Sequence, residues 1–214
     1  MFLAPVIDDV LESKKSKLIG EWGYPQIVST LNRAFKNVEP FKFRHETYYD
    51  YGRNDYSVSG LYNMDTDTKH IVLNFSKRCT AFEISPRSWS QFKFDVSQVC
   101  QHETIHQTQW QHRDSSLMGQ FDTTVDFRNT TGSVEDEKQY LADADEIDAY
   151  AHDIAMEIRF KYPKKNPYEI LKAIDTKRNL WSYTYYKRTF RGEDWSHIKK
   201  RLLKKTFLWL PYIH

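Results

Sequence analysis

The sequence predicts an α+β fold, in which helices at both ends of the chain flank a short region of strands. Two N-terminal segments, at about 8–18 and 24–36, have apolar residues at helical spacing. Three later runs alternate with a period of about two, which is typical of strands. They cover residues 41–49, 56–64 and 70–75. We therefore expect a small, about three-stranded, mostly antiparallel sheet with N-terminal helices and a helical C-terminal extension.

Length and composition limit the class of protein. A chain of 214 residues can bury one substantial core, and its 14 Tyr, 13 Phe and 6 Trp favour a folded protein over a disordered one. We expect one domain over 1–160, with an extension over 161–214 packed on it. The two cysteines have no disulfide-framework or metal-site spacing, which favours a reducing compartment.

The N-terminal residues lack the basic start and long apolar run of a signal peptide, and no stretch of 18 apolar residues occurs. We expect a cytoplasmic protein without a membrane partner.

The most informative motif is His102-Glu103-Thr104-Ile105-His106. The preceding segment, 89–101, has no Gly or Pro and predicts a helix that continues into the motif. On a helix, His102 and His106 lie one above the other, so that two ring nitrogens can bind one zinc ion. Glu103 then projects beside the metal, in the position of a general base for metal-bound water.

A third ligand is needed, and a carboxylate from a later helix could provide it. His112 is a poor choice, because six residues after His106 it lies away from the same helical face. Glu146 heads an alanine-rich helix 40 residues after His106, with Asp145 and Asp148 as alternatives. The acidic residues could instead simply favour the helix N-terminus through its dipole.

His102-Glu103-x-x-His106 and the later Glu146-Ile-Asp-Ala-Tyr-Ala resemble the zincin metallopeptidases whose third ligand is a glutamate. The second motif is similar to that of ImmA/IrrE-type peptidases and of small peptidases encoded by phages and mobile elements. The resemblance covers about 50 residues, from His102 to Ala151. It implies Zn²⁺ held by His102, His106 and Glu146, with Glu103 as base, and the host cytoplasm as location if the gene is phage-encoded.

The resemblance also implies a minimal zincin-like domain, in which three strands precede the metal helix. An edge strand of such a domain runs above the cleft and pairs with an extended protein or peptide substrate. Tyr150 stands where the family has an aspartate that orients a ligand histidine, and Asp153 is a candidate to replace it.

The leading hypothesis is a zinc-dependent endopeptidase, in which a nearby tyrosine or histidine stabilises the oxyanion. Tyr183, Tyr185 and Tyr186 are candidates, although a packing role is more common for any one tyrosine. The polar segment between His112 and Lys138 is expected to be a long loop, which either borders the cleft or is a disordered surface excursion.

The second hypothesis is a nucleic-acid- or regulator-binding protein with a structural or inactive metal site. Residues 114–157 contain 12 acidic and 2 basic residues, whereas 159–205 contain 15 basic and 4 acidic. Rings and cations alternate from Trp181 to Arg191, which is the composition of a surface for single-stranded nucleic acid. An acidic partner or nucleic acid could therefore bind the C-terminal region.

Overall fold

The structure, a computed structural model, describes residues 4–38, 40–52, 54–114 and 133–213. The helices are α1 (Ala4–Leu18), α2 (Tyr24–Phe35), α3 (Trp89–Asp114), α4 (Val134–Ala142), α5 (Ala144–Lys161), α6 (Pro167–Lys172), α7 (Trp181–Thr189) and α8 (Gly192–Trp209). The strands are β1 (Gly20–Gly23), β2 (Phe41–Tyr48), β3 (Tyr56–Asn63), β4 (Thr68–Ser76) and β5 (Ala81–Ile84). Single 3₁₀ turns lie at Ile174–Thr176 and Leu210–Tyr212. The predicted α+β class is confirmed.

The chain forms two compact units, Met1–Trp110 and Gln111–His214. The predicted domain over 1–160, with its extension over 161–214, stays a prediction. Within the second unit, α5 packs against α7 and α8, so that residues 144–161 group with the C-terminal helices. Periodicity identified these helices but could not show which of them share a core.

The larger sheet has the strand order β2-β4-β3. β3 and β4 form an antiparallel pair, whereas β2 pairs with β4 in parallel, with Phe41 opposite Lys69. The sheet is therefore mixed rather than mostly antiparallel, because the chain crosses over and adds β2 to the far side of β4. A second, two-stranded sheet of β1 and β5 was not expected, since four residues are too few to show alternation.

The first unit has one apolar core, to which α1, α2, both sheets and α3 contribute. The inner face of the larger sheet follows the two-residue period of its strands. Buried members of this core include Leu11, Leu31, Phe35, Phe43, Ile71, Phe75, Phe82, Phe92 and Val96. This core holds the first half of α3 against the sheet.

Helix α3 begins at a reciprocal cap. The Ser85 backbone N–H donates to Ser88 Oγ at 2.9 Å, and the Ser88 N–H donates to Ser85 Oγ at 3.1 Å. These bonds satisfy N–H groups that have no partner in the first turn. The helix then runs without interruption to Asp114 and contains the His102 motif, as predicted.

The helix that carries Glu146 is also confirmed, as α5. Asp143 is its N-cap, and accepts a hydrogen bond from the Asp145 N–H at 2.8 Å. The segment from His112 to Lys138, expected to be a loop, is helical at both ends, because α3 extends to Asp114 and α4 begins at Val134. The rest of that segment, residues 115–132, lies outside the described residues.

In the described part of the chain, no helix combines the length and apolar character that crossing a membrane requires.

Glu157 connects α5 to α7 in the second unit. Its carboxylate, 2% exposed, accepts hydrogen bonds from the Trp181 N–H at 2.5 Å and from the Ser182 N–H at 2.9 Å. The N-cap residue of α7, Leu180, provides no side-chain hydrogen bond. Glu157 therefore caps α7 from a neighbouring helix, with its charge at the positive end of the α7 dipole.

We expect Glu157→Gln to lower the free energy of unfolding by about 2 to 4 kcal/mol, because an amide cannot accept from all these donors and one buried N–H is left unpaired. Urea unfolding followed by circular dichroism measures the loss. Glu169→Gln is the control, since Glu169 is exposed in the first turn of α6. Equal stability of the two variants would contradict the capping role.

Candidate metal centre

Among the described residues, one group of side chains could hold a metal ion: His102, His106 and Glu146. Each offers one ligand atom, and these three atoms all lie within 4.8 Å of one another. His102 and Glu146 are both 8% exposed, and His106 is half-buried. The sequence proposed these three ligands, and the structure brings them together.

The two histidines occupy the positions that the helix period requires. Their ring centroids are 4.8 Å apart, with an angle of 73° between the ring planes. One turn of α-helix rises about 5.4 Å, so the rings project from successive turns of the same face of α3. Both imidazoles can therefore approach a single point without a change in the backbone.

Gln109 orients the second histidine. His106 Nδ1 lies 3.0 Å from Gln109 Oε1, an amide oxygen, which can only accept a hydrogen bond. The pair is therefore satisfied when Nδ1 carries the proton, which leaves Nε2 as the lone-pair donor for a metal. This contact of Gln109 was not predicted from the sequence, although its spacing of three residues from His106 on a helix was a signal for it.

An ion pair holds the first turn of α5 against the last turn of α3. Arg113 Nη2 pairs with Asp145 Oδ2, and both side chains are partly buried. Arg113 lies two turns after His106 on the same face of α3, and Asp145 precedes Glu146. This ion pair therefore fixes the residue next to Glu146 and helps to determine where the Glu146 carboxylate lies.

The alternative ligands are engaged elsewhere. Asp145 pairs with Arg113 as described, while Asp148 Oδ1 accepts from Trp209 Nε1 at 3.2 Å and pairs with Lys205 Nζ at 3.0 Å. His112 is exposed and does not belong to the group. Glu146 is thus the carboxylate of this helix that lies with the two histidines.

The three donor atoms fit a zinc site in number and type. Tetrahedral zinc with bonds of 2.0–2.2 Å to nitrogen and oxygen requires donor atoms about 3.3 Å apart, which small side-chain rotations can reach from the observed spacing. Three protein ligands also leave a fourth position for water.

Glu103 is buried in the first unit, with 5% of its surface exposed. It follows His102 on α3, and its side chain lies directly against the backbone of Gly60 in β3. Its catalytic role remains a prediction. Cys100, one turn earlier, is fully buried; burial, with a smaller effect from Glu103, raises the pKa of its thiol, so it stays protonated in the core.

Asp153 lies on the same face of α5 as Glu146. It is 6% exposed, and its Oδ1 lies 3.8 Å from His152 Nδ1. Residues 146, 150 and 153 follow the helical period on one side of α5, so Asp153 and Tyr150 continue the face that starts at Glu146. Its predicted role in orienting a ligand histidine remains a prediction.

The three tyrosines that were candidates for oxyanion stabilisation donate their hydroxyls elsewhere. Tyr183 donates to Asp175 at 2.7 Å, Tyr185 to Glu137 at 2.6 Å, and Tyr186 to the Leu141 carbonyl at 3.0 Å. Burial, followed by the neighbouring carboxylates, raises the pKa of Tyr183 and Tyr185. These hydroxyls hold the second unit together.

Three of the five aromatic rings in 181–191 are buried. Tyr183, Tyr186 and Phe190 are at most 4% exposed, so these rings are unavailable to bases. Trp181 is exposed but stacks on Tyr185, with ring centroids 5.2 Å apart. The composition of this segment reflects a helix that packs its aromatic side chains inward.

Comparison with models of known families, with characterised proteins and with solved structures finds no match to this chain. The resemblance to zincin peptidases therefore depends on the two motifs alone.

We expect Glu146→Gln to weaken zinc binding at least about 100-fold, because an amide oxygen is neutral and a weaker ligand than a carboxylate. Competition with a chromophoric chelator measures the affinity. Glu135→Gln is the control, since that side chain is 80% exposed in the first turn of α4. Unchanged zinc affinity in Glu146→Gln would mean that another group completes the site.

Proposed function

We propose that this chain is a zinc-dependent peptidase, an endopeptidase that hydrolyses peptide bonds with water. The observation that carries the proposal is the grouping of His102 and His106 with Glu146, whose ligand atoms lie within 4.8 Å of one another. The group contains the two-histidine, one-glutamate donor set of hydrolytic zinc sites.

Zinc is the metal that these donors favour. Imidazole nitrogen with a single carboxylate suits zinc, whereas calcium and magnesium bind mainly to oxygen. When bound, zinc would lower the pKa of a coordinated water and polarise the carbonyl of the scissile bond.

Glu103 has the role of general base in this proposal. Its carboxylate accepts a proton from the attacking water and then donates it to the nitrogen of the departing amine. Because Glu103 adjoins His102 on α3, its side chain starts beside the ligands without belonging to the group of donor atoms. Its burial reduces competition from bulk water for this proton.

Gln109 and Arg113 restrict the movement of the candidate metal ligands. Gln109 holds the His106 ring by its Nδ1 atom, 3.0 Å away, and Arg113 anchors the start of α5 through Asp145. Both contacts reduce the freedom of the ligands before any metal binds, which raises affinity by lowering the entropic cost of ordering them.

A peptide substrate is the class that β3 favours. β3 lies at the end of the sheet order β2-β4-β3 and, among the strands that the structure describes, pairs only with β4. The other side of the strand carries backbone groups to which an extended peptide can add as a further strand. This edge lies next to Glu103, because the β3 residue Gly60 contacts that side chain.

Binding of nucleic acid or an acidic partner by the C-terminal region stays a prediction. Several cations of this region have carboxylate partners: Lys187 and Lys199 pair with Asp175, and Lys205 pairs with Asp148. Together with the burial of three rings, these pairs reduce the cationic and aromatic surface that nucleic acid could contact.

We expect Glu103→Gln to keep one zinc ion per chain and to lose proteolysis by at least about 1,000-fold, because an amide cannot accept the water proton. Elemental analysis measures zinc, and release of fluorescence from a labelled unfolded protein measures cleavage. Glu135→Gln should retain both properties.

The proposal would be refuted by a purified wild-type chain that binds no zinc. It would also be refuted by cleavage in Glu103→Gln at the wild-type rate, since that result removes Glu103 from the reaction.

A further inference from the structure

Gly60 occupies a position in β3 where no side chain would fit. A Cβ atom added to Gly60 would lie 2.4 Å from Glu103 Oε1, 2.6 Å from Cγ and 2.8 Å from Cδ. Ordinary contacts between carbon atoms are about 3.5 to 4.0 Å, so all three distances are strong overlaps. Because the three nearest atoms all belong to Glu103, the glycine accommodates that one side chain.

Backbone conformation does not explain this glycine. In the described part of the chain, the glycines with positive φ are Gly20 and Gly192, and Gly60 is not one of them. Glycine inside a strand costs stability, since it has high conformational entropy when unfolded and no side chain to pack. This loss of stability occurs at the position where β3 contacts Glu103.

Two tyrosines hold β3 against α3 on either side of this contact. Tyr56 Oη donates to Asp95 Oδ2 on α3 at 2.5 Å. At the other end, Tyr62 Oη donates to Asp67 Oδ1 at 2.9 Å, and the same oxygen accepts from Gln107 Nε2 on α3 at 2.7 Å. Lys69 Nζ, from β4, donates to Gln107 Oε1 at 2.6 Å.

Between these two attachment points, α3 and β3 cover similar distances along their axes. From Asp95 to Glu103 a helix rises about 12 Å, and from Tyr56 to Gly60 a strand extends about 13 Å. From Glu103 to Gln107 the rise is about 6 Å, and from Gly60 to Tyr62 the extension is about 7 Å. β3 therefore follows α3 in register, with Gly60 facing Glu103 between two fixed points.

We propose that Gly60 is a positioning residue for Glu103, which determines where the carboxylate of the base lies. This inference depends on the proposed function for the role of Glu103, although the contact itself does not. The strand cannot retreat from α3 without breaking the Tyr56 or Tyr62 hydrogen bonds. A methyl group at Gly60 must therefore displace the Glu103 side chain, which is the movable partner.

Gly60→Ala tests the inference, with Gly52→Ala as the matched control. A Cβ at Gly52 would also be tight, 2.8 Å from Asp55 Oδ2, but this contact is to an exposed side chain. We expect Gly60→Ala to bind zinc with wild-type stoichiometry and to lose kcat at least tenfold, with KM changed less than twofold. Gly52→Ala should cleave at the wild-type rate.

A spectroscopic measurement gives a second readout that does not depend on turnover. In the Co²⁺-substituted chain, the visible absorption changes with pH as the coordinated water ionises, and Glu103 influences that ionisation. We expect the inflection of Gly60→Ala to move from the wild-type value towards that of Glu103→Gln. Gly52→Ala should keep the wild-type inflection.

A stability measurement on the metal-free protein keeps the inference testable if Gly60→Ala folds poorly. We expect Gly60→Ala to lower the Tm by several degrees, and Gly60→Ala combined with Glu103→Ala to unfold within about two degrees of Glu103→Ala alone, since the overlapping atoms are gone. Gly52→Ala and Glu103→Ala should be additive.

Additive effects of Gly60→Ala and Glu103→Ala would overturn the inference, as would a Gly60→Ala variant with wild-type kcat. Absence of zinc or of cleavage in the wild-type chain would refute the proposed function. The contact between Gly60 and Glu103 would then be tested by the unfolding temperatures of the single and double variants alone.

Discussion

Several polar side chains of α3 lie partly or fully buried against the sheet or α1, and the need to satisfy them is the constraint on which the first unit depends. Burying a polar group without a hydrogen bond costs roughly 2 kcal/mol or more, so each such side chain requires a partner at a fixed place. Tyr56 meets Asp95, Asp8 accepts from Ser97 at 2.7 Å, and Gln107 joins Asp67 to Lys69. These bonds prevent α3 from rotating or sliding, and so fix the direction in which its two histidines point.

The candidate metal centre is supported by a neutral contact close to the histidines and by a charged contact further away. Near the histidines the identified partner is an amide, Gln109, which fixes one ring without adding charge to the site. An ion pair of Arg113 with Asp145 stands further along the helices. A net negative charge at the ligands would favour any divalent cation through electrostatics alone, whereas two imidazoles with one carboxylate rely on donor type and geometry.

In the second unit, several cations of the basic C-terminal segment pair with carboxylates of the same unit. Lys199, Tyr183 and Lys187 surround Asp175 and hold its pKa well below the usual range. The carboxylate of buried Glu157 likewise accepts hydrogen bonds at the N-terminus of α7. Pairing at short distance therefore reduces part of the long-range field that the sequence suggests.

The sequence by itself determined the elements and the ligands that depend on local spacing. Helical periodicity located α3 and α5, the four-residue spacing placed His102 and His106 on one face, and alternation located the three strands of the larger sheet. Only the tertiary structure decided what depends on contacts between distant segments. It made β2 and β4 parallel, assigned α5 to the C-terminal unit, and buried Tyr183 and Tyr186 of α7. It also placed Gly60 against Glu103, 43 positions apart in the chain. A glycine inside a strand was the one local signal of that contact, because spacing along a chain gives the face of an element but not the element it meets.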